Sequence, residues 1–107
     1  MTSDKRTIIE IQYFHGCPHA DEMIKRVREA IEMSELDIDY KEILVDTPEK
    51  AEQHKFRGSP TVLVNGGDLE GLPTPESGSL ACRYYKNGIP TLQSIINFIT
   101  ASADKGR

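Results

Sequence analysis

The sequence predicts one α/β domain, with four strands and three helices in the order β-α-β-α-β-β-α. An apolar run at residues 8–14 is followed by apolar residues at helical spacing and then by an alternating stretch, which is the pattern of a β-α-β unit with parallel strands. A later β-branched run ends in Asn65-Gly66, a strong hairpin signal. With 107 residues there is room for one domain, 1–107, and not for two.

The first strand, at residues 8–14, leads directly to a cysteine. Its β-branched and aromatic residues suit a strand that is covered on both faces. His15-Gly16 breaks this strand, and Pro18 fits the first position of a helix, where its missing N–H costs nothing. We therefore expect Cys17 at the helix cap, with its sulfur near unpaired backbone N–H groups that favour the thiolate.

A helix at residues 19–33 and a strand at residues 36–45 complete the β-α-β unit. The helix carries apolar residues on one face and charged residues on the other. Asp21 and Glu22 in its first turn suit the helix dipole. The strand alternates polar and apolar residues before it becomes continuously apolar.

The second helix is predicted to begin at residues 46–49 (DTPE) and to stop at Gly58. A capping side chain, an early proline and a glutamate in the first turn mark its start, and a glycine suits its end. The third strand then follows residues 58–61 (GSPT) and covers residues 62–64, before the Asn-Gly turn.

The fourth strand can be placed in two ways. Residues 67–79 hold three glycines and two prolines, which predicts a long loop. Residues 68–70 could continue the hairpin as a short strand, but the alternation at residues 80–85 is the stronger pattern, so we favour it as the fourth strand.

The last helix is predicted at residues 91–101, where five apolar residues recur at helical spacing. The two ends of the chain, 1–6 and 102–107, are predicted to be flexible tails.

The composition excludes several classes of protein. The net charge is −4 and no basic stripe is present, so nucleic acid is not expected as a partner. No apolar run reaches the length of a membrane span, so no association with a membrane is expected. Residues 1–6 (MTSDKR) lack the apolar core of a signal peptide, so a cytoplasmic location is expected. In that reducing compartment, Cys17 and Cys82 are expected as thiols or metal ligands rather than as a structural disulfide.

The Cys-Pro-His motif between a strand and a helix resembles the active site of the thioredoxin-fold oxidoreductases. Ala20 stands where the second cysteine of their motif would be, so the remaining site is similar to that of a monothiol glutaredoxin. The resemblance implies a thioredoxin-like fold, with a four-stranded mixed sheet in the order 2-1-3-4 flanked by helices. The GSPT motif resembles the cis-proline loop of that fold, which packs against the active cysteine.

The resemblance also implies a binding site for substrate. It assigns Cys17 as the attacking thiol, and glutathione or a protein disulfide as its partner. It further implies that one set of residues contacts the substrate: Pro18, His19, Ser59, Pro60 and Thr61. His15 and His19 are candidates to tune the thiolate or to bind metal, but they are equally well explained as exposed turn residues.

Cys82 decides between a one-thiol and a two-thiol site. A fourth strand at residues 80–85, antiparallel to the third, would end at the same edge of the sheet as Cys17. Cys82 would then be a resolving thiol or a second metal ligand, provided that the two Cα atoms lie within about 7 Å. The alternative is a buried cysteine that acts as a small apolar residue.

A second resemblance concerns the same two cysteines. A cysteine at a Cys-Pro turn with another far downstream is similar to the catalytic part of organomercurial (alkylmercury) lyases, and soft thiolates select soft metals such as mercury and copper. In those enzymes an acid follows the first cysteine by three positions, where this chain has Ala20; Asp21 is one further on and is better explained by the helix dipole. The Ala-Cys-Arg-Tyr segment is similar to that of small thioredoxin-like proteins of undefined function.

Three hypotheses follow for the function. The favoured one is a thiol-dependent redox protein in which Cys17 attacks a disulfide or accepts glutathione and Cys82 resolves the product. The second is soft-metal binding or transfer by Cys17 and Cys82. The third is a non-catalytic thioredoxin-fold binding module that holds an extended segment of a partner in the groove beside Pro60.

Overall fold

The computed structural model describes residues 6–105 and has an α/β architecture. A four-stranded mixed sheet has the strand order β2-β1-β3-β4 and is flanked by helices, which confirms the predicted class and order. The elements are β1 (Thr7–Tyr13), α1 (Ala20–Ser34), β2 (Ile38–Leu44), α2 (Pro48–Gln53), β3 (Thr61–Val64), β4 (Gly67–Asp68) and α3 (Leu92–Lys105).

Strand β1 lies in the middle of the sheet and sets the position of its neighbours. It pairs in parallel with β2 and antiparallel with β3, and Gln12 lies opposite Thr61. The carboxyl end of β1 is therefore next to the start of β3. The prediction that this strand is covered on both faces is wrong at its beginning, where Ile8 is 44% exposed.

Two apolar clusters hold the helices to the sheet. In the larger one, Ile9 and Ile11 of β1 pack against buried residues of α1 and α3, such as Val27 and Ile95. The smaller cluster lies under α2 and joins Val45, Ala51 and Phe56, with Phe14 packed against them. Because side chains alternate along a strand, Ile11 and Phe14 point to opposite faces of the sheet.

Helix α2 ends five residues earlier than predicted. It stops at Gln53, and Lys55 takes a left-handed conformation with φ 48°. The N–H of Phe56 donates to the carbonyl of Ala51, and the N–H of Lys55 donates to that of Glu52. These two bonds form a Schellman motif, which ends the helix before the expected stop at Gly58.

The fourth strand is β4 (Gly67–Asp68), so the preference for residues 80–85 is wrong. The turn between β3 and β4 decides this, because Asn65 and Gly66 both have positive φ, as a two-residue hairpin requires. The side-chain oxygen of Asn65 also accepts a hydrogen bond from the N–H of Ile8, which fixes the turn to β1. From residue 69 to residue 91 the chain forms no helix or regular strand.

The last helix is longer than predicted. Thr91 caps α3 by accepting a hydrogen bond from the N–H of Ser94, and the helix continues through Lys105 instead of ending at 101. At the other end, Arg6 pairs with Asp37 at 3.4 Å. The remaining tail residues, 1–5 and 106–107, lie outside the described part of the chain. No helix between residues 6 and 105 is long and apolar enough to cross a bilayer.

Candidate functional site

Cys17 and Cys82 form a disulfide. Their Cα atoms lie 5.5 Å apart although the residues are 65 positions apart in the sequence. The expectation of free thiols is therefore wrong for this structure, and so is the reading of Cys82 as a buried apolar residue, because Cys82 is exposed. The two sulfurs do approach each other, as the two-thiol hypothesis requires.

Cys17 lies in the turn between β1 and α1. Gly16 has φ 98°, which a glycine adopts readily, and it turns the chain away from the strand. The carbonyl of Cys17 accepts a hydrogen bond from the N–H of Ala20, the first residue of α1. The predicted cap is two residues off, because His19 is the N-cap and Pro18 lies in the turn before the helix.

The two halves of the disulfide differ in accessibility. Cys17 is only 7% exposed, whereas Cys82 lies at the surface. The sequence led us to expect Cys17 as the reachable sulfur. In the oxidised protein it is the covered one.

Segment 80–85 holds Cys82 opposite Cys17. The N–H of Ser59 donates to the carbonyl of Ala81 at 2.9 Å, and the N–H of Arg83 donates to the carbonyl of Ser59 at 2.8 Å. These bonds place Ser59 beside Cys82 in a single parallel bridge. The segment therefore lies along the loop that leads into β3, rather than antiparallel to β3 as predicted.

The GSPT motif forms the floor beneath this segment. The Ser59–Pro60 peptide bond is cis, and Ser59, Pro60 and Thr61 are all buried. The Ser59 hydroxyl accepts from the N–H of Phe14 at 3.0 Å, which ties the loop to the end of β1. The Thr61 hydroxyl donates to the carbonyl of Gly58 at 2.6 Å.

The backbone groups that were predicted to bind substrate are already bonded within the chain. Ser59 uses both its N–H and its carbonyl for segment 80–85, and the Pro60 carbonyl accepts from the Tyr85 hydroxyl at 2.6 Å. Burial raises the pKa of Tyr85, so its phenol stays protonated and remains a donor. An extended substrate would have to displace segment 80–85 before it could pair with these groups.

A buried ion pair fastens the segment to the sheet. The Arg83 guanidinium donates to both carboxylate oxygens of Asp68, at 2.7 and 2.9 Å, and the two side chains are 7% and 1% exposed. Arg83 also donates to the Thr61 hydroxyl, at 3.3 Å, and its guanidinium carbon lies 4.7 Å from the ring centre of Tyr85. We call Asp68 and Arg83 the anchor pair.

The anchor pair keeps both of its charges. Burial opposes ionisation of Asp68, but the Arg83 guanidinium and the N–H groups of Leu72 and Glu70 lower the pKa of that carboxyl below its usual value. Burial likewise opposes the charge on Arg83, and Asp68 outweighs it and raises the pKa of the guanidinium. Sequence reasoning missed this pair, because Asp68 was assigned to a loop and Arg83 to a strand. The one signal for the position of Asp68 is the Asn65-Gly66 turn, because a two-residue hairpin there places Asp68 opposite Leu63 of β3.

Two grooves reach the disulfide, and both are lined by Cys82. One, about 370 Å³ in volume, lies between Phe56, Leu72, Pro75 and Ala81, and we call it the apolar groove. The other, about 250 Å³, lies between Pro18, His19 and Tyr84, and we call it the Tyr84 groove. Cys17 lines neither groove.

The two candidate histidines have different surroundings. His15 packs edge-on against Tyr13, with 5.9 Å between ring centres. His19 borders the Tyr84 groove and makes no capping hydrogen bond with its side chain. Among residues 6–105, no three His, Cys, Asp or Glu side chains are close enough to hold a metal ion together. A soft metal would therefore have the two sulfurs as its ligands once the disulfide is reduced.

No protein-family model matches the chain, and no curated protein matches it. The resemblance to thioredoxin-like proteins thus depends on the motifs and the topology of this chain alone.

Proposed function

We propose that the chain is a thiol-dependent redox protein of the thioredoxin type, whose redox centre is the Cys17–Cys82 disulfide. One observation carries the proposal: the disulfide joins the turn after β1 to a segment that pairs with the residue before a cis proline. The strand order β2-β1-β3-β4 and the place of Cys17 between β1 and α1 support the fold type.

The chemistry is thiol–disulfide exchange. A thiol substrate reduces the protein disulfide in two steps, through a mixed disulfide, and leaves as its own disulfide while the protein gains two thiols. The reverse direction reduces a substrate disulfide. Glutathione and protein cysteines are the candidate substrates. Ala20 excludes a local dithiol, and the distant Cys82 supplies the second sulfur instead.

The predicted cytoplasmic location bears on the role of the disulfide. In a reducing cytoplasm a protein disulfide is usually transient and serves catalysis or redox sensing. A cytoplasmic location together with this disulfide therefore favours a pair that opens and closes. In an oxidising compartment the same bond would serve as a structural link between the two ends of the site.

The reduction potential distinguishes these two roles. We expect the folded protein to equilibrate with glutathione buffers and to give a potential above about −300 mV, because structural disulfides usually lie below that value. Thiol alkylation followed by intact mass spectrometry gives the reduced fraction. The double variant Cys17→Ser/Cys82→Ser is the control for background labelling. A disulfide that stays closed in reduced glutathione while the protein is folded would contradict the proposal.

Soft-metal binding is the second candidate, because the fold brings two sulfurs together. Reduction would leave two adjacent thiolates, and thiolates select soft ions such as mercury and cuprous ion. Titration of the reduced protein with mercuric ion is expected to give a one-to-one complex with two sulfur ligands, whereas each single serine variant can supply only one sulfur. The binding-module hypothesis has less support, because segment 80–85 fills the groove beside Pro60.

A further inference from the structure

The surroundings of the disulfide indicate the polarity of the exchange reaction, that is, which sulfur is attacked and which one leaves. This inference rests on the proposed function. We infer that an incoming thiolate attacks Cys82 and that Cys17 is the leaving group. This reverses the roles that the sequence suggested, in which Cys17 was the attacking thiol and Cys82 the resolving one.

Access is the first argument. Cys82 is exposed and lines both the apolar groove and the Tyr84 groove, whereas Cys17 is 7% exposed and lines neither. A thiolate must approach a disulfide in line with the sulfur–sulfur bond, so the sulfur that it can reach determines the product.

The attachment of the segment that carries Cys82 also favours attack on that sulfur. Segment 80–85 is fixed to the Ser59 backbone on both sides of Cys82, by the carbonyl of Ala81 and the N–H of Arg83. The anchor pair adds a buried charge-assisted contact to the same segment. These contacts hold Cys82 at the surface, and attack on Cys82 breaks none of them, because only the disulfide has to open.

The leaving group is the third argument. Cys17 precedes α1 by three residues, and its carbonyl accepts a hydrogen bond from the first residue of that helix. The N-terminal end of a helix carries partial positive charge, which favours a thiolate there, and a thiolate that is more stable leaves faster. The thiolate that forms on Cys17 is therefore stabilised by the nearby start of α1.

The step balances as follows. The substrate thiolate forms a bond to Cys82 Sγ, the Cys17–Cys82 bond breaks, and its electron pair stays on Cys17 as a thiolate. A second substrate thiolate then attacks the substrate sulfur of the mixed disulfide. It releases Cys82 as a thiolate and forms the substrate disulfide, and both protein thiolates take up protons from solvent. Two substrate thiols are oxidised and one protein disulfide is reduced.

Trapping of the mixed disulfide tests the inference on the full chain. The oxidised protein is mixed with glutathione, quenched with acid at short times, alkylated and digested for mass spectrometry. We expect glutathione on Cys82 and the alkylating label on Cys17, with Cys82 adducts in excess by at least roughly tenfold. The same experiment in concentrated urea is the control. The preference should disappear there, because unfolding exposes both sulfurs.

The outcomes separate this inference from the proposed function. Adducts on Cys17 in equal or greater amount would overturn the polarity and leave the redox function standing. An absence of adduct on either cysteine in the folded protein, with adducts in urea, would contradict the redox function and the polarity together. The single variants give a second measurement. After reduction, Cys17→Ser should react with an aromatic disulfide reagent at least roughly tenfold faster than Cys82→Ser, because only the former presents an exposed sulfur.

Discussion

Loss of Arg83 should destabilise the protein strongly, because its partner would remain buried without a compensating charge. The guanidinium donates to both oxygens of Asp68, whose side chain is 1% exposed. Removal of one member of a buried ion pair costs about 3–5 kcal/mol. The N–H groups of Glu70 and Leu72 still donate to the Asp68 carboxylate in the variant. We therefore expect the stability lost in Arg83→Met to lie near the lower end of this range, at about 3 kcal/mol.

Urea denaturation of oxidised Arg83→Met and wild type measures this difference. The matched control is Arg28→Met, which removes an arginine of the same size from an exposed pair with Glu42. That variant should unfold like the wild type, because solvent screens an exposed pair. A free energy of unfolding for Arg83→Met within experimental error of that for Arg28→Met would refute the reasoning.

The pH dependence gives the same prediction a second readout. In the wild type the pKa of Asp68 is lowered on folding, so its contribution is present above the pKa of the unfolded chain and is lost as the pH falls through the lower folded value. Without Arg83, burial is expected to raise that pKa instead. Arg83→Met should therefore lose less stability than the wild type between neutral pH and about pH 4. Asp68→Asn added to Arg83→Met should recover part of the loss at neutral pH, and an absence of recovery would argue against a buried charge as the cause.

Two further substitutions test the site. Replacement of both Cys17 and Cys82 by serine opens a loop of 65 residues. The free energy of unfolding, measured in urea, should fall by about 4 kcal/mol relative to the oxidised wild type. A fall of less than about 1 kcal/mol would contradict the presence of the disulfide. Gly58 has φ 106°, and the Cβ added by Gly58→Ala would lie 2.9 Å from the Cβ of Arg83. The variant should therefore lose more free energy of unfolding than the 1–3 kcal/mol or so that backbone strain alone costs. It should also form the disulfide more slowly. Gly71→Ala, with φ 77° and no atom within 4 Å, carries the strain without the contact, and an equal loss of stability in both variants would disprove the role of the contact.

The fold was largely predictable because its signals are local. Apolar spacing placed α1 within one residue of its ends. The strand order 2-1-3-4, which the resemblance to the thioredoxin fold implied, is the observed one. The errors arose where a turn overrides the pattern of the side chains. Positive φ at Lys55 ended α2 early, and positive φ at Asn65 and Gly66 made residues 67–68 the fourth strand. Alternation alone favoured 80–85, yet β4 occupies the free side of β3, and segment 80–85 makes only a single bridge, from Cys82 to Ser59.

The site was harder to predict because its contacts are distant in sequence. The motif around Cys17 and the Ser59–Pro60 bond could both be identified from neighbouring residues, and the cis bond is confirmed. The sequence suggested Cys82 as the partner of Cys17, but it did not predict that Cys82 is the exposed sulfur. The exposure of Cys82 depends on how segment 80–85 packs. Nothing local to Asp68 or Arg83 indicates that the two charges meet in the interior.

The anchor pair also bears on the proposed redox function, because it holds segment 80–85 through contacts that do not involve the sulfurs. A disulfide that alone held segment 80–85 would release Cys82 on reduction, and the two thiols would then meet only as often as a flexible loop allows. Here the segment is also held by the Asp68 ion pair, the backbone bonds to Ser59 and the Tyr85 hydroxyl, and none of these contacts involves a sulfur. The reduced thiols should therefore stay adjacent, and the disulfide should re-form rapidly. If segment 80–85 were instead held by the disulfide alone, Arg83→Met would re-oxidise as fast as the wild type.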